Sequence, residues 1–199
     1  MCIVPRRVLH DEFFQKAKEK GYASRASFKL LQIQEKFGLI RRGDCVVDLG
    51  CAPGSWLQVA GELVGGEGRV VGVDLQGVRI SLASWVVAER GDVFEVGPEH
   101  FSYMGAGRVD VMLSDMGPAT DGHTEHYVSV RLCERVLELS MRILKPGGHL
   151  AMKVLEGSEY RRLLDETGGL FARCRGYKPK ASRAVSREMY IIGEGFVGV

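Results

Sequence analysis

An α/β fold with a largely parallel, doubly wound sheet is predicted by three features of the sequence. From Gly43 onward, apolar β-branched runs alternate with stretches whose apolar residues recur at helical spacing. Several of those runs stop on an acid, as in "CVVDLG", "GVDL" and "MLSDMGP". A turn with two glycines, "DLGCAPGSW", joins the first run to the first helical stripe. Strands that alternate with helices are joined by right-handed crossovers, which place helices on both faces of the sheet.

In chain order, the strands are expected in "CVVDLG", "RVVGVDL", "WVVAERGDV", "RVDVMLSDMGP", "HLAMKVLEG", a segment near Phe171–Tyr177 and "EMYIIG", giving seven. The helix after the first strand, "GSWLQVAGELVG", carries apolar residues at 56, 59, 60, 63 and 64. The long one, "HTEHYVSVRLCERVLELSMRIL", carries them at 133, 136, 137, 141 and 144, and Lys145-Pro146-Gly147-Gly148 supplies a stop before the fifth strand. "EYRRLLDETGGLF" gives a further helix ahead of the sixth strand. The last two strands are separated by about ten residues, fewer than the dozen or more a parallel crossover requires. The seventh strand is therefore expected antiparallel, which brings Glu188 to the rim where the parallel strands end. Ahead of Gly43, "DEFFQKAKEKG" and "SRASFKLLQIQEKFG" read as two amphipathic basic helices. The expected organisation is one domain over 1–199, with a helical arm at 1–42 and an α/β core at 43–199.

The 199 residues, 45% of them hydrophobic, suffice for one well-buried core. No apolar stretch approaches the ~20 residues that span a bilayer, and "MCIVPRRVLHDEFF" lacks the apolar run and cleavage site of an export signal. Cysteines at 2, 45, 51, 133 and 174 are odd in number and form no C-x-x-C pair, so neither a disulfide framework nor a zinc site is indicated. A monomer in a reducing cytoplasm is expected. Charge is segregated: the balance is +6 over residues 1–42, −7 over 43–157 and +3 over 158–199. Basic ends around an acidic middle suit a polyanionic partner.

Ligands of open α/β sheets bind beyond the carboxyl ends of the strands, near the point where strand order reverses. Asp48 and Asp74 end the first two strands, Asp92 follows the third, Asp115 ends the fourth, and Lys153 lies late in the fifth. The first turn, Gly50-Cys-Ala-Pro-Gly54, lacks the third glycine of the G-x-G-x-x-G dinucleotide pattern, which disfavours NAD and a nicotinamide-dependent oxidoreductase. Gly50 and Gly54 still permit close approach to the backbone. Asp74, 26 residues beyond Asp48, is placed to accept hydrogen bonds from ribose hydroxyls, so a nucleoside without a pyrophosphate is the simplest ligand.

Taken together, "VVDLGCAPGSWLQVA", "GVDL", "GDVFE", "SDMGP", "LKPGGHLAMKV" and "KPKASRAVSREMYIIG" resemble the FtsJ-type ribose 2′-O-methyltransferases, from about Phe13 to Gly193. The resemblance implies a Rossmann-like class I methyltransferase fold and S-adenosylmethionine as cofactor. Gly50, Gly54 and Trp56 of the first turn would line the cofactor pocket, Asp74 would hold the ribose, Asp92 the adenine, and Asp115 would lie near the methionine amine. It further implies a catalytic tetrad of Lys29 in "SRASFKL", Asp115 in "SDMGP", Lys153 in "MKV" and Glu188 in "SREMY". The implied substrate is large-subunit ribosomal RNA, free or within the subunit, at the A-loop uridine. Transfer RNA, mitochondrial rRNA and messenger caps are alternative substrates within this chemistry, and an RNA-binding module on a degenerate fold is the alternative outside it.

The residue types suit the reaction the resemblance implies. Methyl transfer to a ribose oxygen is an in-line displacement, so alignment supplies much of the acceleration. The hydroxyl must also lose its proton, and a lysine can accept it only when neutral, a form that burial and a neighbouring cation favour. Lys153 is assigned as general base, with Lys29 polarising the hydroxyl. Arg6, Arg7, Lys16, Lys18, Lys20, Arg25, Arg41 and Arg42 on one side, and Arg173, Arg175, Lys178, Lys180, Arg183 and Arg187 on the other, are candidates for RNA phosphates. His123 and His126 are expected at a solvated helix end, Cys51 as a small residue that fits its turn, and Trp85 in packing. Ser55 stands where the family often has glycine.

Overall fold

The computed structural model describes residues 12–118, 124–183 and 185–198. Helices α1 (Glu12–Glu19) and α2 (Ser27–Phe37) precede the sheet. Then follow β1 (Cys45–Leu49), α3 (Ser55–Val64), β2 (Arg69–Asp74), β3 (Val86–Arg90), α4 (Pro98–Tyr103) and β4 (Val109–Ser114). The chain continues through α5 (Glu125–Ile143), β5 (Leu144–Leu155), α6 (Tyr160–Gly168), β6 (Phe171–Tyr177) and β7 (Glu188–Phe196). The seven strands are ordered β3-β2-β1-β4-β5-β7-β6. The first five are parallel and β7 runs antiparallel to both its neighbours, so strand order reverses between β1 and β4.

Strand alternation divides the core between two faces. On one, Val47, Leu49, Met112 and Met152 meet Phe101 of α4, Val130, Cys133 and Val136 of α5, and Leu163 of α6. On the other, Val46, Val70, Val111 and Leu113 meet Trp56, Leu57 and Ala60 of α3 and Leu30 and Ile33 of α2. The basic arm thus contributes to a core. Among the described residues, no helix is long and apolar enough to cross a membrane.

Two local expectations are corrected and one helix is added. Lys145-Pro146-Gly147-Gly148 does not precede β5 but lies within it: Val109 pairs with Leu144 and Val111 with His149, so the segment loops out of the ladder. Lys145 Nζ, 2.8 and 2.9 Å from the two oxygens of Asp110, holds that bulge against β4. Met141 is 42% exposed, because the buried stripe of α5 runs instead through Leu139, Ser140 and Ile143. Helix α4 was not anticipated, being only six residues long, with Pro98 in its first turn.

Candidate active site

The rim formed by the carboxyl ends of the parallel strands gathers ionisable groups from four elements. Asp115 follows β4 directly, Lys153 lies near the end of β5, Glu188 opens β7 and Lys29 comes from the first turns of α2. Lys153 Nζ donates to the Asp115 carbonyl oxygen at 2.5 Å and lies 3.2 Å from Asp115 Oδ1. Lys29 Nζ is 3.0 Å from Glu188 Oε2 and 3.9 Å from Asp115 Oδ1. The side chains of Lys29, Asp115, Lys153 and Glu188 are 10%, 16%, 11% and 23% exposed, so these charges meet in a largely dehydrated site. All four residues named from the sequence are brought together.

Lys29 owes its position to the docking of the arm. Trp56 Nε1 donates to the Ala26 carbonyl at 2.8 Å, one turn ahead of Lys29. The hydroxyls of Ser24 and Ser55 are 2.6 Å apart, which gives Ser55 a use that a glycine would lack. Arg25 bonds the Ala181 carbonyl, and the Ala181 amide donates to Gln32 Oε1 at 3.0 Å, so α2 is tied to the loop between β6 and β7. Tyr190 is a further member that the sequence reasoning missed. Fully buried, it donates from Oη to Asp115 Oδ1 at 2.5 Å and stacks on Trp56 at 5.8 Å between ring centroids. Burial, then the Asp115 carboxylate, push its phenol well above the usual value. The period of two along β7 carries the signal, since Tyr190 shares a face with Glu188 and pairs directly with Lys153.

Beyond β1, β2, β3 and β4 lies a cavity of about 400 Å³, walled in part by Gly50, Asp74, Asp92, Phe94, Asp115 and Gly117. Asp74 accepts the Ala52 amide through Oδ2 at 3.0 Å and the Gln76 amide through Oδ1 at 2.7 Å. Each carboxylate oxygen retains capacity for a second donor. Asp92 Oδ1 likewise takes the Phe94 amide at 2.9 Å, which fixes the carboxylate at the cavity wall. Among the described residues, three acids and no lysine or arginine line the cavity, a set of acceptors that fits a nucleoside bearing positive charge and opposes a pyrophosphate. S-adenosylmethionine, with its ribose hydroxyls, ammonium and sulfonium, meets those requirements.

Gly54 and Trp56 are not among the walls of this cavity; Trp56 is 2% exposed and turned toward α2. Close approach of a ligand is also not what the two turn glycines provide on their Cβ sides. Gly50 has φ +78° and a Cβ there would fall 2.4 Å from Met116 Cγ, while Gly54 has φ +114° and its Cβ would fall 2.6 Å from Ile80 Cδ1. Protein fills both spaces, so the glycines serve the left-handed turn and its packing.

Asp48 is the exception among the acids at the rim. It is fully buried, and neither carboxylate oxygen has a hydrogen-bond partner among the described residues. Burial, then the charges of Asp115 and Asp74, push its pKa well above the ordinary value. Cys51 is buried nearby, its thiol pushed up by burial and then by Asp48, which makes it a packing group rather than a nucleophile. Trp85 packs with its Nε1 on the Gly61 carbonyl at 3.0 Å. His126 lies against Tyr127 and 3.4 Å from Ser158 Oγ; His123 lies outside the described residues.

On the other side of the tetrad a second cavity, about 420 Å³, has Lys29 and Glu188 in its wall and Arg25, Arg183 and Val185 around it. The basic residues named from the sequence do not all face it. Arg41 and Arg42 stand before β1, at the opposite edge of the sheet, and Arg173 and Arg175 are 3.2 and 3.0 Å from Glu194 near the far end of β7. Arg6 and Arg7 lie outside the described residues.

Comparison with known proteins agrees with this architecture. Residues 22–196 match the family model of the FtsJ-like methyltransferases. A protein of Methanosarcina mazei named ribosomal RNA large subunit methyltransferase E is 45% identical over 191 residues, covering 94% of this chain and 70% of the relative. A protein of the same name from Syntrophobacter fumaroxidans is 41% identical over 187 residues, covering 93% of this chain and 95% of the relative. The crystal structure of a ribosomal RNA methyltransferase from Plasmodium falciparum shares the fold, with a TM-score of 0.76 over 89% of this chain and all of that one, at 24% identity. By its matched length and by these relatives, the chain belongs to the FtsJ-like methyltransferase family.

Proposed function

We propose that the protein methylates the 2′-hydroxyl of a ribose in large-subunit ribosomal RNA, using S-adenosylmethionine, with Lys153 as general base. One observation carries this reading: Asp115, in the wall of an acid-lined cavity, is 3.9 Å from Lys29, in the wall of a second cavity bordered by arginines, and 3.2 Å from Lys153. The first cavity fits a cationic nucleoside and the second a nucleotide of a polyanion. The names of the relatives support ribosomal RNA as the substrate, and the sequence resemblance points to the A-loop uridine within it.

When bound, S-adenosylmethionine supplies a methyl group on a sulfonium. Asp74 and Asp92 would hold its ribose and adenine, and Asp115 its amine. The chain's remaining work concerns the ribose hydroxyl. A neutral lysine amine has two N–H bonds and one lone pair. Lys153 can spend both N–H bonds on the Asp115 carbonyl oxygen and Oδ1, leaving the lone pair for the hydroxyl proton. Glu188 and Asp115 hold Lys29, whose ammonium opposes the negative charge that develops on the oxygen as its proton departs. Tyr190 fixes the Asp115 carboxylate against which both amines are set.

The test is incubation with labelled cofactor and either naked ribosomal RNA or isolated large subunits, followed by mapping of ribose methylation. Label is expected at one 2′-oxygen. Lys153→Ala is expected to lower the rate by about 10²-fold or more, the scale of general base catalysis, with cofactor affinity by calorimetry little changed. A wild-type protein that fails to bind the cofactor would point to the RNA-binding module instead.

A further inference from the structure

We infer that Val185 is a wedge that takes the place of the target nucleotide when that nucleotide leaves its stack, so the substrate is a stacked nucleotide of a folded RNA rather than a free chain end. The inference rests on the proposed ribose methylation and adds the form of RNA that the second cavity receives.

The first part of the argument is depth. Lys29 is 8% exposed, and the side chains of Asp115 and Lys153 are scarcely more so. A ribose hydroxyl held within a helical stack cannot reach groups set behind a cavity wall. Enzymes that act on a base within a duplex meet the same problem of reach by rotating the nucleotide out, and must offset the lost stacking. Proteins that unstack nucleic acid commonly do so by inserting an apolar side chain between the bases that remain.

The second part is the residue found beside the opening. Val185 is 93% exposed, the highest value among the large hydrophobic residues exposed in the described chain. Single apolar residues on a surface are ordinary. This one borders the cavity that contains Lys29 and Glu188, with Arg183 beside it to meet a phosphate. Its β-branched side chain is stiff at χ1, so little rotamer freedom is lost on insertion.

The third part is rigidity, because a wedge on a yielding loop would fold back. The Ser186 amide donates to the Arg183 carbonyl at 3.0 Å, which closes a turn around Val185. Lys178 Nζ donates to the Ser186 carbonyl at 2.6 Å, and the Glu188 amide donates to Ser186 Oγ at 3.2 Å. Upstream, the bonds from Arg25 to the Ala181 carbonyl and from the Ala181 amide to Gln32 fasten the same loop to α2. The tip is thus held on both sides while its side chain contacts little of the protein.

The test compares the wild type with Val185→Ser and Val185→Leu on two RNAs of one sequence, one folded so that the target is stacked and one kept single-stranded. Because the side chain is exposed, neither substitution threatens folding. Val185→Ser is expected to lower methylation of the folded RNA about tenfold or more relative to the single strand, and Val185→Leu to restore the ratio. In parallel, 2-aminopurine at the target position reports unstacking on binding, without any need for methyl transfer. Its fluorescence rise on the folded RNA is expected to shrink in Val185→Ser. An equal rise in wild type and Val185→Ser, or an unchanged folded-to-single-strand ratio, overturns the wedge. Absence of methylation on both RNAs together with a smaller fluorescence rise leaves the wedge standing and overturns the proposed reaction.

Discussion

Asp48 carries the largest local conflict between a side chain and its surroundings. It lies one residue before the end of an otherwise apolar strand, is fully buried and offers two oxygens that nothing in the described chain satisfies. Ionising such a group costs several kilocalories in an apolar interior, so burial keeps it protonated, and the neighbouring charges of Asp115 and Asp74 act in the same direction. The unfolded chain loses that proton near the ordinary value of 3.8, while the folded chain retains it to a higher pH. Stability therefore falls as pH rises above that value and continues to fall until the raised folded pKa is reached. Asp48→Asn has nearly the same shape and never ionises. Its melting temperature is expected to match the wild type at about pH 4 and to exceed it increasingly toward neutral pH, as thermal melts across a pH series will show. Tyr190 presents the opposite case, a buried hydroxyl whose one donor is spent on the carboxylate that Lys29 and Lys153 both approach.

Among the elements, α2 is the one on which the site most depends. Leu30 and Ile33 bury against the face of the sheet that carries Val46, Val111 and Leu113, while Lys29 projects from the same helix toward Glu188. Ile33→Ala removes a fully buried side chain and is expected to cost about 2–4 kcal/mol of stability, measurable by urea denaturation. Methylation rate should drop more than cofactor affinity, since the helix orients Lys29 and does not touch the acid-lined cavity. The direction of β7 was legible because a loop of ten residues is too short for a parallel crossover, and that direction alone brought Glu188 to the rim. The excursion of Lys145–Gly148 within β5 was not, because Pro-Gly-Gly chemistry reads identically as a turn before a strand and as a bulge inside one. What distinguishes them is the pairing of Lys145 with Asp110, a contact between distant positions. Asp74, Asp92, Asp115 and Lys153 could be placed from strand ends alone, whereas the unsatisfied state of Asp48 arises from what surrounds it in three dimensions. Trp56 belonged to the right turn, but no local pattern told which side of it the indole would face.

At the scale of the molecule, the strand order that reverses between β1 and β4 gives one rim two unlike sides. Among the described residues, acids without bases line the cavity over β1, β2, β3 and β4, and arginines border the cavity beside α2 and β7. A cation and a polyanion can therefore approach one set of groups from two sides, each meeting charge of the opposite sign. Net charge conceals this arrangement, since +2 for the chain is the remainder of opposed blocks. The basic blocks are themselves divided by the fold, with Arg25 and Arg183 beside the second cavity, and Arg41 and Arg42 across the sheet from it. Each phosphate neutralised by a side chain releases condensed counterion, which for single-stranded nucleic acid contributes about −0.7 to the slope of log affinity against log salt. Replacing both Arg25 and Arg183 by Gln should thus flatten that slope by about 1 to 2 and weaken RNA binding most at low salt. Arg41→Gln with Arg42→Gln removes the same formal charge from the opposite edge and should leave the slope nearly unaltered. Filter binding of both double variants over a salt series separates the two predictions. Equal flattening by the two pairs would mean that the chain attracts RNA through its overall charge and not through the rim on which Lys29, Asp115, Lys153 and Glu188 meet.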